Sequence, residues 1–365
     1  MAGGAIAACD QGKQHDQQTV GPPVHIVGAN VGPQRALPAD GKIQIAFDRL
    51  LLPSTVIRQS FILADANNNA LEPIVTYDPI TRVVTLSNPN AAGGAWLTVG
   101  LSYKVVFEVA KTGDDQSGVR AIDRATLDPA SAGELGFPVS AATGVIGTDP
   151  AVKFCTDVLP IFSARCATSG ACHQSPGTIP DATWLKSPAL QEQFPDKQSR
   201  PAAGLILDSS GGIAGTSIGR VAQGSNTGAR AGIAEPPGAL FGVDMPIVDP
   251  GNPSNSWLMY KLLLAPEQPA ADETNGPLTN ATCATKTPTL QPPPQVTPAP
   301  SAISDDERTR LSDYVLGNQM PYPPNPGSSA TDISNLTQDL THDELERVRA
   351  WIAQGAPVID CSVCP

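Results

Sequence analysis

The stretch CATSGACHQ, residues 166–174, holds the densest set of reactive side chains in the sequence: two thiols, Cys166 and Cys172, and the imidazole of His173 directly after the second. Three chemistries use such a set. A c-type haem takes thioether bonds from two cysteines to its vinyl groups and iron ligation from the following histidine, because the second cysteine aims the next side chain at the iron. The same thiols can instead close a local disulfide, provided their Cα atoms approach within about 7 Å. A tetrahedral zinc site is the third option, since Cys361-Ser362-Val363-Cys364 supplies a second, C-x2-C pair of thiols. Five residues separate Cys166 from Cys172 where two would be expected of a haem site, and Thr168-Ser169-Gly170 has the composition of a loop that bulges out. A haem also needs a sixth ligand from a distant loop. GNQMPYPPN offers Met320, fixed by the proline after it; Met245 in VDMPIVDPGNP competes, and Met259 lies within a helical stretch and fills core.

Helices are expected to position these groups. Asp149 and Pro150 suit a cap and first helical position, and Phe154, Val158 and Phe162 recur on one face of a helix that runs into Cys166. Pro160 should kink that helix or end it early. Ser304 with Glu307, and Thr341 with Glu344, are capping boxes that start two more helices, and Gly317 and Gly355 supply their stops. A fourth helix begins at Asn252-Pro253 and presents Trp257, Leu258, Lys261 and Leu262. Residues 24–142 follow a different period: KIQIAFDR, EPIVTYD, TRVVTLS and SYKVVFEVA alternate in the manner of strands, separated by turns such as ADANNNAL and NPNAAGG. That spacing predicts an antiparallel sandwich, and with no cysteine in the block its stability must come from packing. The stretches at about 174–250 and 265–303 are rich in Gly, Ser, Ala and Pro and read as long loops or insertions.

A chain of 365 residues has room for two or three domains. Charged residues make up only 16 % while prolines number 37 and glycines 33, which favours β-structure joined by irregular loops. The net charge of −12, with no basic cluster, gives nucleic acid and anionic lipid no electrostatic reason to bind. Four dispersed histidines offer no Ser-His-Asp or Cys-His arrangement, and neither Gly-rich nucleotide motif is present, so no enzyme is expected. Ile6-Ala7-Ala8-Cys9 resembles the bacterial lipobox, and the polar stretch after it is composed as a tether; Cys9 is the expected lipidation site. No later run approaches the roughly 18 apolar residues of a membrane-spanning helix, so the expectation is a protein anchored to a membrane by lipid alone. Six cysteines remain, an even number compatible with an oxidising compartment.

Two stretches carry resemblances. Residues 24–142 resemble the bacterial Ig-like domains of envelope proteins, through PADGKIQIAFD, V-x-Y-D, V-x-L and LSYKV in that order. From about 150 to 358, the order DVLPIF, C-x5-C-H, PGNPSNSWLMYKL, MP and LTHDELERVRAWIAQGAP is similar to the cytochrome c-like domains of large exported bacterial proteins, from which the widened C-x5-C spacing departs. Together the resemblances imply a tether and lipobox over 1–23, an all-β Ig-like sandwich over 24–142, a linker at 143–150, and a mainly α cytochrome c-like domain with long insertions over 151–365. They imply one covalent haem c held by Cys166 and Cys172, with His173 and Met320 as axial iron ligands. The first and last helices would cross beside it, bringing Phe154 and Phe162 against Leu345, Val348 and Trp351. Such crossing makes Cys155 and Cys361 candidate disulfide partners and leaves Cys283 and Cys364 for another pair. The implied function is electron transfer to a redox partner protein of the periplasm or envelope. The alternative is a haem-free, disulfide-stabilised scaffolding or adhesion lipoprotein of the cell envelope.

Overall fold

The computed structural model describes residues 20–90, 93–110, 117–141, 151–167, 173–178, 181, 185, 191–192, 195–199, 201–222, 241, 244–267, 295–299, 301–315, 319–321, 339–359 and 361. Strands dominate up to residue 140. A four-stranded antiparallel sheet has the order β1 (Ile26–Ala29), β3 (Ile43–Phe47), β7 (Val83–Ser87), β6 (Ile74–Asp78). A five-stranded sheet has the order β2 (Leu37–Pro38), β9 (Leu135–Ser140), β8 (Ser102–Phe107), β4 (Phe61–Asp65), β5 (Ala70–Leu71), and is antiparallel except where β2 meets β9. Registers such as Ile45↔Val84 and Leu63↔Val105 set the apolar rows side by side. Because side chains alternate along a strand, Ile43, Ile45 and Phe47 all point inward, and each is fully buried. Phe47 of one sheet meets Phe61 of the other edge-on at 6.1 Å and so joins the two layers, while Phe61 meets its cross-strand neighbour Phe107 at 6.0 Å within the five-stranded sheet.

The second half adds short elements: two π-helical turns, Phe154–Val158 and Phe162–Cys166, on either side of α1 (Leu159–Ile161); a two-stranded ribbon of β10 (Gly177–Thr178) and β11 (Gln198–Ser199); then α2 (Ser210–Thr216), α3 (Trp257–Leu263), α4 (Asp305–Ser312) and α5 (His342–Ala353). Here the expected fold class is corrected. No mainly α, cytochrome c-like domain stands beside an Ig-like sandwich among the described residues. The five helices run from 3 to 12 residues, and the one expected to lead into Cys166 is broken into wide turns around Pro160, which brings no N–H to the ladder. The sandwich has its own core around Ile45, Phe61 and Phe107, while Leu50, Leu52, Ile80 and Ile122 of the strand-rich half lie in the buried cluster of the second half with Phe154, Tyr260 and Trp351, so the two halves share apolar packing at their seam. The expected linker at 143–150, with Asp149 and Pro150, falls outside the described residues.

Besides this apolar packing, a backbone contact and an ionic one help fasten the halves. Residues 295–299 run along the edge of β1: Ala29 pairs with Thr297 in an antiparallel bridge, and Val296 is buried against Ala46 and Val83. Gly28 allows this approach, since a Cβ there would sit 2.6 Å from the carbonyl oxygen of Pro298. The second contact is ionic. Arg49, 3 % exposed, donates to Asp123 at 2.8 and 3.2 Å, to Glu307 on α4 at 3.1 Å, and to the carbonyl of Pro22 at 2.7 Å. Backbone N–H groups serve the remaining carboxylate lone pairs: Leu50 donates to Glu307 at 2.8 Å, and Gly21 and Ala125 donate to Asp123 at 2.9 and 3.1 Å. Burial by itself lowers the Arg49 pKa; the bonds to Asp123 and the charges of Glu307 and Asp123 outweigh it and raise the pKa.

A buried cation held by two carboxylates predicts an order of effects. Arg49→Met leaves both carboxylates without their cation and should cost about 3–5 kcal/mol, whereas Glu307→Gln keeps the shape and the Arg49–Asp123 pair and should cost distinctly less. Urea unfolding midpoints at constant slope measure both, and an equal or reversed order contradicts the assignment.

Candidate functional site

The segment singled out by its thiols and imidazole begins where the second π-helical turn ends. Cys166 is the last residue of that turn and its side chain is buried. Cys172 lies outside the described residues. His173 returns to the turn through its backbone, its N–H donating to the carbonyl of Cys166 at 3.0 Å, while its own carbonyl accepts from Leu207 at 2.7 Å. The chain thus closes a loop on itself and is pinned from both sides.

The imidazole of His173 is 7 % exposed and hydrogen-bonds the backbone carbonyls of Leu205 and Ala202, with Nδ1 left without a hydrogen-bond partner. Desolvation is the main cause that lowers its pKa; the two carbonyls oppose the shift and the positive charge of Lys261 adds to it. Burial thus favours the neutral form of the ring. Lys261, on α3, is itself pushed down to about 8 by burial. Its carbonyl accepts from the N–H of Met320 at 3.1 Å, so Lys261 connects the surroundings of His173 with those of Met320. Met320 is half-buried against the core, and Met245 is buried within it, its carbonyl accepting from Ala222 at 3.0 Å.

These residues do not fit a haem, and the expected haem c, with its iron, metal-binding and cytochrome assignments, is corrected accordingly. The helix contact expected from the crossing is present, Phe154 and Phe162 packing on Trp351 at 5.9 and 5.8 Å with Val158, Leu345 and Val348 buried around them, but it brings no iron ligands together among the described residues. His173 is turned to the 202–205 backbone, and Met245 is committed to packing. Among the described residues no three His, Cys, Asp or Glu side chains converge as metal ligands. Of the other positions singled out, Cys9, Cys283 and Cys364 lie outside the described residues.

What the structure does bring together is Cys155 and Cys361, bonded at an S–S distance of 2.07 Å. Cys155 sits in the first π-helical turn, 1 % exposed, and Cys361 follows α5. The bond closes a sequence separation of 206 residues. Around it, α5 is fixed at both ends. Thr341 accepts from the N–H of Glu344 at 3.2 Å while the Glu344 carboxylate accepts from the N–H of Thr341 at 3.0 Å, a complete capping box. Glu344 has a second task, since its other oxygen pairs at 3.0 Å with Arg165, next to Cys166. At the far end Gly355 adopts φ +93°, the N–H of Ala356 reaches the carbonyl of Trp351 at 2.9 Å, and the indole N–H of Trp351 donates to Pro357 at 2.9 Å. The path of the chain toward Cys361 is set by these bonds.

Glu307 and Glu344 were both legible as cap residues; their partners Arg49 and Arg165 were not. The available signal was an arginine beside apolar neighbours, as in FDRLLLP, in a chain with few charges.

No family model matches this sequence, and no curated protein matches it. Three solved structures of the bacterial S-layer protein SbsC are weakly similar. The crystal structure of rSbsC(31-844) is 13 % identical with a TM-score of 0.24, covering 35 % of this chain and 15 % of that one. Domains 1–6 give 12 %, 0.23, and coverages of 35 % and 15 %. The N-terminal part gives 12 %, 0.23, 43 % and 29 %. The chain thus spans less than a third of each of those chains, and scores of this size do not establish a shared fold.

The disulfide should be the costliest single covalent element to lose. A Cys155→Ser/Cys361→Ser variant is expected to be less stable by about 2–5 kcal/mol, in line with the loss of a native bridge across a long loop. Urea denaturation of the variant, beside the wild type with and without reductant, checks this; a variant as stable as the oxidised wild type refutes it.

Proposed function

We propose that this chain is a haem-free scaffolding protein of the bacterial cell envelope, exported, held at a membrane by lipid on Cys9 and not itself catalytic. The observation that carries the reading is the Cys155–Cys361 bond. Disulfides form and persist in oxidising compartments outside the cytosol, and this bridge ties a buried turn at residue 155 to the segment after α5.

Three further features support it. The shared apolar packing and the Arg49–Asp123–Glu307 cluster join sheets and helices into one firm body, as a spacer or docking frame requires. The sequence Ile6-Ala7-Ala8-Cys9 supplies an acylation signal and the residues after it a tether. Among the described residues no helix is long and apolar enough to cross a membrane. The partner on this reading is another envelope component, bound by shape and hydrogen bonding; the acidic net charge of −12 disfavours nucleic acid.

The test uses the full chain produced behind a working bacterial export leader in cells fed an alkyne fatty acid. The wild type should take up the label and partition into the detergent phase, Cys9→Ala should do neither, and in both Cys155 and Cys361 should resist thiol alkylation until reduced. An unlabelled wild type with both cysteines alkylated directly would defeat the proposal.

A further inference from the structure

Helix α5 meets the end of strand β6 through three charged side chains. Arg349 Nε lies 2.7 Å from Glu346 Oε2 on the same helix and 3.8 Å from Asp78 Oδ2 across the seam. Asp78 is held in place by the N–H of Ile80 and the hydroxyl of Thr81, each at 2.9 Å. Two carboxylates thus face one guanidinium. The Glu346 side chain is 13 % exposed, and its Oε1 is buried with no hydrogen-bond partner. An ionised carboxylate with one oxygen in that condition carries a desolvation cost that its protonated form avoids.

We propose that Glu346, Arg349 and Asp78 form a proton-operated latch between α5 and β6, closed when Glu346 carries a proton and loosened when it is ionised. Burial, and after it the charge of Asp78, push the Glu346 pKa from 4.5 up to about 7, against the opposing pull of Arg349 and His342. The other charged groups nearby are Glu267, hydrogen-bonded to His342 at 3.0 Å, and Arg82 and Arg308, which act on Glu267 from further away; Tyr77 and Tyr260, both buried and neutral, lie within electrostatic reach of Asp78.

The direction follows from proton uptake. A native pKa above the unfolded one means the folded seam holds the extra proton, so its stabilisation is complete below about pH 4.5 and is lost as pH rises through about 7. His342, whose pKa is raised chiefly by its bond to Glu267, acts with the same sign in an overlapping range. Glu267, lowered chiefly by that same bond, acts only in acid. Glu346 and His342 must therefore be separated by substitution.

Hydrogen exchange of α5 amides, expressed as protection relative to intrinsic rates, reads the latch directly. In the wild type, protection should fall about tenfold between about pH 6 and about pH 8, the change that native and open-state values of 7 and 4.5 require. Glu346→Gln should remove most of the fall over the same interval and leave only the His342 share, and His342→Gln should keep most of the fall. Carboxyl-carbon NMR of glutamate-labelled wild type gives a second reading that no variant's misfolding can spoil: Glu346 should titrate near 7, and at lower pH in Asp78→Asn. Parallel exchange profiles for wild type and Glu346→Gln, or a Glu346 carboxyl that titrates near 4.5, overturn the proposal.

Discussion

A guanidinium taken out of water must find several acceptors in fixed positions, and the position of α4 follows from where Arg49 finds them. Asp123 comes from the strand-rich half, Glu307 from the first turn of α4, and backbone N–H groups on three separate segments complete the carboxylate valences. The penalty for burying charge means that none of these partners can drift without leaving another unpaired. The cluster therefore acts as a positional standard. With α4 set against Leu50, the apolar residues beside Arg49 are drawn into the core that also holds Trp351 and Tyr260.

The same economy of side chains recurs at α5. Glu344 satisfies an orphan N–H at the helix start and at once neutralises Arg165, while two residues further on Glu346 shares Arg349 with Asp78. In a chain with so few charges, Glu307, Glu344 and Glu346 each serve both their own helix and a contact with another element. Long-range order comes from these doubly used residues and from one covalent bridge more than from long helices packing on one another.

Strand segments were readable because alternation is a local signal: Ile43, Ile45 and Phe47 need only be spaced by two to declare a buried face. The capping residues Ser304 and Thr341 were readable for a similar reason, since a cap is settled within four positions. Harder to read was where Glu307 and Glu344 would send the rest of their hydrogen bonds, because Arg49 and Arg165 lie 258 and 179 residues away along the chain. The haem expectation failed at a further remove. Cys166, His173 and Met320 have the residue types and the order that such a cofactor requires, but whether ligands converge depends on contacts made elsewhere: His173 is buried against the backbone of residues 202–205, and no three candidate ligands meet among the described residues. The break at Pro160 could be anticipated from one residue; the π-helical turns on both sides of it could not, since widening a turn is a response to packing.

The docking of residues 295–299 on β1 carries a consequence for how the protein comes into being. A chain released N-terminus first exposes the edge of β1, and the cation of Arg49, long before Thr297 and Glu307 exist to meet them. Until then the sheet presents an open row of hydrogen-bonding groups able to recruit another strand, which is a route to intermolecular association. Completion is thus deferred to the last fifth of the polypeptide, and a truncated product would be expected to persist as a half-closed sheet seeking a substitute strand from its neighbours.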